Sequence, residues 1–227
     1  MIGDNNVTLI SMDFIAPEGI ILNKEHYSFK DINIDFDHGF AGYGIISLKD
    51  ENIEDNKISM VMRLKTNESL MGQKLRLELM DLNGFDTIPG EPTITISGAS
   101  FRLNFKNYST EYQVDKGIKM GDYDTTIKTL SISLISVALK LESPFAKEIS
   151  KASDNWEELG SNEFSDIYPI TINYKDGTSE TTDIFNGMHY LEYSSGNMLF
   201  IKTFKNVIND REIESITFFD TGIQIAN

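Results

Sequence analysis

Ile170-Thr171-Ile172-Asn173-Tyr174-Lys175-Asp176-Gly177, running on through Thr178 to Phe185, is the stretch on which the fold is decided. Apolar and polar residues alternate with period two. Ile170, Ile172 and Tyr174 therefore share one face of an extended strand, while Thr171, Asn173 and Lys175 take the opposite, wet face. Asp-Gly is the dipeptide of a two-residue type I′ hairpin, because both central residues of that turn need positive φ. The spacing predicts a strand, a tight turn at Asp176-Gly177 and a returning strand over 178–185.

The same alternation recurs on the N-terminal side. Ile58, Met60, Met62 and Leu64 mark one half-buried strand, Leu75, Leu77 and Leu79 a second, and Phe101, Leu103 and Phe105 a third. Asn83-Gly84 and Pro89-Gly90 read as turns between such strands. Further strands fit 127–133, 137–141, 198–204, 214–219 and 223–225. One helix is expected over 144–152, with Ser143 as its cap and Pro144 at the first helical position. Many short strands with little helix predict an all-β protein. Its 227 residues suit two tandem immunoglobulin-like β-sandwich domains, 1–113 and 114–227. The joint is placed near 114–124, where Asp115-Lys116-Gly117 and Gly121-Asp122-Tyr123-Asp124 bracket a short apolar stretch. That segment reads equally well as a strand pair inside the second domain.

Composition excludes several classes of function. Hydrophobic residues make up 40% and charged residues 24%, an ordinary globular balance. Twenty Lys and Arg against 35 Asp and Glu leave a net charge of −15, with no basic run to neutralise phosphates. Nucleic acid and an anionic membrane surface are not expected partners. The absence of cysteine removes disulfides, thiolate nucleophiles and cysteine-based metal sites. Met1-Ile2-Gly3-Asp4-Asn5-Asn6 has no basic segment leading into an apolar one, so no signal peptide is read. No window approaches the roughly 18–20 apolar residues of a membrane span. Membrane attachment is expected only through an anchor absent from this chain.

Candidate chemistry is sparse. The three histidines, His26, His38 and His189, stand in no metal-binding spacing. Asp35 and Asp37 fall on one face of a strand and, with His38 before Gly39, form a candidate hard-cation site. That run lacks the fuller acidic loop with its terminal Glu, and a solvated turn is the plainer reading. Asn155, Trp156 and Glu157, around the only Trp, could stack and hydrogen-bond a sugar, or Trp156 could simply pin its loop. Gly39, Gly42 and Gly44 match no nucleotide-binding loop and read as a bend or bulge at a strand edge. No Gly-x-Ser-x-Gly elbow is present. No catalytic residue and no cofactor is assigned, and an enzyme is not expected. A carbohydrate- or calcium-binding surface module stands as the alternative to the reading that follows.

Four segments of the second half carry a resemblance: Gly121-Asp122-Tyr123-Asp124, the run from Leu130 to Leu141, Ile172-Asn173-Tyr174-Lys175-Asp176-Gly177-Thr178, and Ile213-Glu214-Ser215-Ile216. In the first half Phe101-Arg102-Leu103-Asn104-Phe105 adds to it. Together they resemble the extracytoplasmic domains of anti-sigma-factor-like membrane proteins from low-GC Gram-positive bacteria, a domain of unknown function. Leu134 departs from the family, which tends to place Pro there. The matching motifs are strands and turns, and carry no activity. The resemblance implies a non-catalytic binding or sensing module on the cell surface. Its partner would be a protein or cell-envelope ligand, and a membrane helix would precede Met1.

Overall fold

A computed structural model describes residues 1–19, 21–22, 27–37, 41–48, 52, 55–84, 94–154, 168–186, 188–204 and 212–225. Two compact units, Met1–Asn107 and Tyr108–Asn227, make up the chain. Antiparallel strands dominate both.

The first unit contains β1 (Ile2–Gly3), β2 (Val7–Ile15), β3 (Tyr27–Phe36), β4 (Ala41–Ser47), β5 (Lys57–Thr66), β6 (Lys74–Gly84) and β7 (Ile94–Arg102). A four-stranded sheet in the order β1-β2-β5-β4 accompanies a three-stranded sheet in the order β3-β6-β7. Lettered along the chain, this order is A-B-E-D with C-F-G. The disulfide and central Trp of antibody domains have no counterpart, since the chain lacks Cys and its single Trp falls at position 156. Alternation in β5 sends Ile58, Met60, Met62 and Leu64 inward, where they cluster with Leu75, Leu77 and Leu79 of β6. Burying each such side chain stabilises the fold by about 1.5–3 kcal/mol before chain entropy is counted.

Two expectations change here. Asn83-Gly84 is no turn: both residues belong to β6 and pair with Ser28 and Tyr27 of β3. The third expected strand stops at Arg102. Leu103 and Phe105 are still buried, because Leu103 exchanges backbone bonds with Gly72 and Gln73. Pro89-Gly90 lies outside the described residues.

The second unit contains β8 (Thr110–Met120), β9 (Tyr123–Ile132), β10 (Ser136–Glu142), α1 (Ala146–Asp154), β11 (Pro169–Tyr174), β12 (Ser179–Asp183), β13 (Met188–Glu192), β14 (Asn197–Thr203), β15 (Ile213–Phe218) and β16 (Thr221–Gln224). Its sheets run β13-β14-β10-β9-β8 and β12-β11-β15-β16. This is not the immunoglobulin order, for the chain lays down whole hairpins in one sheet and then the other. The segment 114–124 is the β8–β9 hairpin of this unit, and the division between units falls at Asn107 and Tyr108 instead of between 113 and 114. Asp115-Lys116-Gly117 belongs to β8, beside a bulge in its pairing with β9 that opens between Gln113 and Lys116.

Ile170 and Ile172 of β11 are buried with Ile216 and Phe218 of β15, Leu139 and Leu141 of β10, and Ala146 and Ile149 of α1. On the outer face Thr171 bonds Thr181, and the Asn173 amide reaches Ser215 and Thr217. The turn at Asp176-Gly177 differs from type I′. Gly177 alone has positive φ, at 84°, and its N–H bonds the Tyr174 carbonyl while the Tyr174 N–H bonds Thr178. The Asp176 carboxylate accepts the Thr178 N–H and hydroxyl, which holds Asp176 itself out of the left-handed region. The result is a three-residue loop whose glycine takes the left-handed position. The helix spans Ala146–Asp154, starting two residues later than expected, and Ser143 serves the turn that leads into it: its hydroxyl accepts the Phe145 N–H at 3.1 Å and donates to the Asp124 carbonyl at 2.7 Å.

Candidate functional site

Most buried polar side chains are used by the fold itself. Asp4, 3% exposed, accepts the N–H groups of Asn6 and Val7 at 2.8 and 2.7 Å. Asp183, 2% exposed, accepts the Tyr168 and Phe185 N–H groups at 2.8 and 2.7 Å. Burial raises the Asp183 carboxyl above the usual carboxylate range, only partly opposed by those two bonds. Beside it, burial chiefly, with the Tyr123 and Asp183 charges adding, pushes the Tyr168 phenol up to about 12. The Asp183 carboxylate and the Tyr168 backbone tie the start of β11 to the end of β12.

The sequence candidates do not assemble into a site among the described residues. Asp35 and Asp37 do project to one side, but Asp35 pairs with Arg76 and Asp37 accepts the Lys74 N–H at 2.9 Å. Both carboxylates thus stitch β3 to β6. His38, Asn155, Trp156 and Glu157 lie outside the described residues. Among the described residues no three acidic or imidazole side chains group as metal ligands would. His189 sits on β13 with its ring 5.0 Å from Phe185 and 6.2 Å from Phe200.

What the sequence did not signal is an open cleft of about 990 Å³ on the second unit. Lys116 to Lys119 of β8, Asp124 to Thr126 of β9 and the Phe219–Thr221 turn line most of it, with Glu142, Pro144 and Pro169 completing the wall. Lys119 pairs with Asp124 at 2.8 Å, and Lys128 pairs with Asp115 at 2.9 Å and Glu142 at 3.8 Å. Lys116 and Asp220 have no side-chain partner among the described residues. Thr125 is 3% exposed and its hydroxyl makes no hydrogen bond, which costs roughly 1–3 kcal/mol.

The backbone around the cleft is unusual in two places. Phe219 holds φ at 53° in the two-residue turn between β15 and β16, at a position that normally takes glycine. Such a conformation costs about 1–3 kcal/mol for a bulky residue. Its ring packs 4.9 Å from Phe218 and 5.9 Å from Tyr168, which keeps it there. Gly117 is the converse case: its φ is ordinary for any residue, and a Cβ built on it would meet nothing within 4 Å. Among the described residues neither conformation nor packing calls for glycine at 117.

The fold and cleft define a class: an all-β chain of two sandwich-like units with a concave surface on the second. No protein-family profile matches the chain, and no curated protein matches it. A solved structure does. The chain is similar to a crystal structure described as a conserved domain protein from Bacillus anthracis, with a TM-score of 0.53 and 13% identity. The likeness covers 95% of this chain and 68% of that one. The shared fold is thus found in a low-GC Gram-positive bacterium, in an uncharacterised conserved domain. Among the described residues no helix is long and apolar enough to cross a membrane.

Proposed function

We propose that this chain is a non-catalytic binding or sensing module, displayed outside a low-GC Gram-positive cell as part of an anti-sigma-factor-like protein held by a membrane anchor. The cleft on the second unit carries the binding half of this reading, because it gathers an unpartnered cation, an unpartnered carboxylate and an exposed strand edge on one concave surface. The near full-length fold likeness to the Bacillus domain supports the placement. So do the turns and strands of the family resemblance, which form the hairpins β8–β9 and β11–β12.

The chain's lack of cysteine provides a clean test. A single Ser194→Cys change in the exposed β13–β14 loop, made in the producing bacterium, gives one labelling site. A membrane-impermeant maleimide is expected to label intact cells. Labelling that appears only after lysis would overturn the extracytoplasmic assignment.

A further inference from the structure

We propose that, independently of the cleft on the second unit, the chain self-associates as a weak two-fold dimer through β4, whose free edge pairs antiparallel with β4 of a second copy. β4 is the last strand of its sheet and pairs with β5 in an unbroken register from Ala41↔Thr66 to Ser47↔Met60. Just beyond it the Leu48 N–H bonds the Ser59 carbonyl at 2.8 Å, which makes those two residues a hydrogen-bonded pair. Antiparallel alternation then gives the main-chain groups of Ile46, Gly44 and Gly42 to β5 and turns those of Tyr43, Ile45 and Ser47 outward. Outward groups of this kind are the donors and acceptors that strand addition uses. Among the described residues every other sheet edge is guarded. β1 and β16 have only two and four residues. β7 and β8 are interrupted by register shifts. β3 carries Asp31 and Asp35, β12 carries Glu180, and β13 carries Glu192. β4, Ala-Gly-Tyr-Gly-Ile-Ile-Ser, has none of these protections.

A second copy is the occupant because the strand is complementary to itself. Gly42, Gly44, Ile46 and Leu48 share its outer face, two residues without side chains followed by two large apolar ones. Ile46 and Leu48 are 51% and 44% exposed. A two-fold axis through Ile45 sets Leu48 opposite Gly42 of the second copy and Ile46 opposite its Gly44, so each exposed apolar side chain lies beside bare backbone. On the inner face Ile45 meets Ile45, and Tyr43, 50% exposed, meets Ser47. The φ of Gly44 lies outside the left-handed region and a Cβ there would meet nothing within 4 Å, so among the described residues the chain itself has no need of glycine at 44. No charged side chain stands in β4, and the pairing buries no unpaired charge. A strand pair of this length falls below the roughly 1,200 Å² of a stable interface, which makes the dimer weak and reversible.

Sedimentation equilibrium of the whole chain up to about 500 µM is expected to show monomer and dimer in exchange. Ile46→Lys should weaken the dimer at least tenfold, with an unchanged melting temperature in dilute solution. Met71→Lys makes the same charge change at an exposed turn residue of the same unit and should leave the dimer intact. The lack of cysteine lets disulfides report the register. Gly44 and Ile46 of the second copy would form a non-hydrogen-bonded pair, with Cα atoms about 4.5 Å apart and within disulfide reach. Mild oxidation of a mixture of G44C and I46C chains is expected to give a covalent heterodimer, while G44C chains alone stay uncrosslinked. A chain that remains monomeric over the whole range overturns the assignment. So does a dimer that Ile46→Lys leaves intact, a G44C chain that cross-links to itself, or an assembly that grows past two copies.

Discussion

The two units bury cores of the same kind with differently laid chains. In the first, beside the neighbour pairs β1–β2, β4–β5 and β6–β7, long strands of 9–11 residues pair across the sequence, β3 with β6 and β2 with β5, the latter in a register from Val7↔Lys65 to Ile15↔Lys57. In the second, β8–β9, β11–β12, β13–β14 and β15–β16 are hairpins between neighbours in sequence. Positive φ follows the wiring. Among the described residues the first unit has it at Gly19 and Gly72, while the second has it at Asp115, Gly121, Gly177, Gly196 and Phe219. The difference teaches that the second unit is specified at its turns and the first along its strand faces.

The sharpest way to break this comparison is a matched pair of glycine substitutions. At Gly196 φ is 76° and a Cβ would fall 2.3 Å from the Ser143 carbonyl oxygen, whereas at Gly72 φ is 79° with open space around it. Gly196→Val is expected to cost about 4 kcal/mol or more, and Gly72→Val about 1–2 kcal/mol, by urea unfolding. Equal losses would show that turn geometry does not weigh more in the second unit. Next in size, Met62→Ala, at a fully buried position of β5, should cost about 2–5 kcal/mol. Hydrogen exchange should rise first in β2 and β5 and least in β11 and β15.

Asp183→Asn comes third, at roughly 1–3 kcal/mol, because the new amide turns a donor toward one of two buried N–H groups. Its pH dependence has a definite sign. The folded carboxyl titrates above its unfolded value of about 3.9. Protonation therefore favours the fold, a contribution fully present below that value and lost as pH rises through the raised folded one. The stability gap between the native chain and D183N should be widest below about pH 4 and narrow toward neutrality. A gap that widens with pH would reverse the assignment. Smallest is Ser143→Ala, which removes the hydroxyl of the turn leading into α1 and should cost about 0.5–2 kcal/mol, seen as a lowered melting temperature.

How much of this was legible depended on where polar residues stand. β5 and β6 could be read because Ser59, Arg63, Arg76 and Glu78 alternate with their buried residues, on the opposite face. β2 could not: Leu9 and Ile15 lie on its outer side, so alternation blurs although Thr8, Ile10, Met12 and Phe14 point inward. Asn83-Gly84 misled because a turn dipeptide also fits a strand whose partner, here Tyr27 and Ser28, tolerates it. The Asp176-Gly177 hairpin was found with the wrong loop, since the Asp176 side chain, not the dipeptide, sets its backbone. The cleft was invisible in sequence for a simpler reason. Its walls come from segments as far apart as Lys116 and Thr221, and its most telling residue, Gly117, looked like punctuation between domains.

The bulge between Gln113 and Lys116 has a consequence for colloidal behaviour. An uninterrupted edge of eleven residues would offer any other copy of the chain a template on which to stack. The kink, with Asp115 in the left-handed region at φ 43°, breaks that template and leaves a short straight run ending at the hairpin turn. An arriving strand finds room for only a few paired residues, too few to seed a growing ribbon. The same irregularity shortens the template that this one edge offers to a second copy.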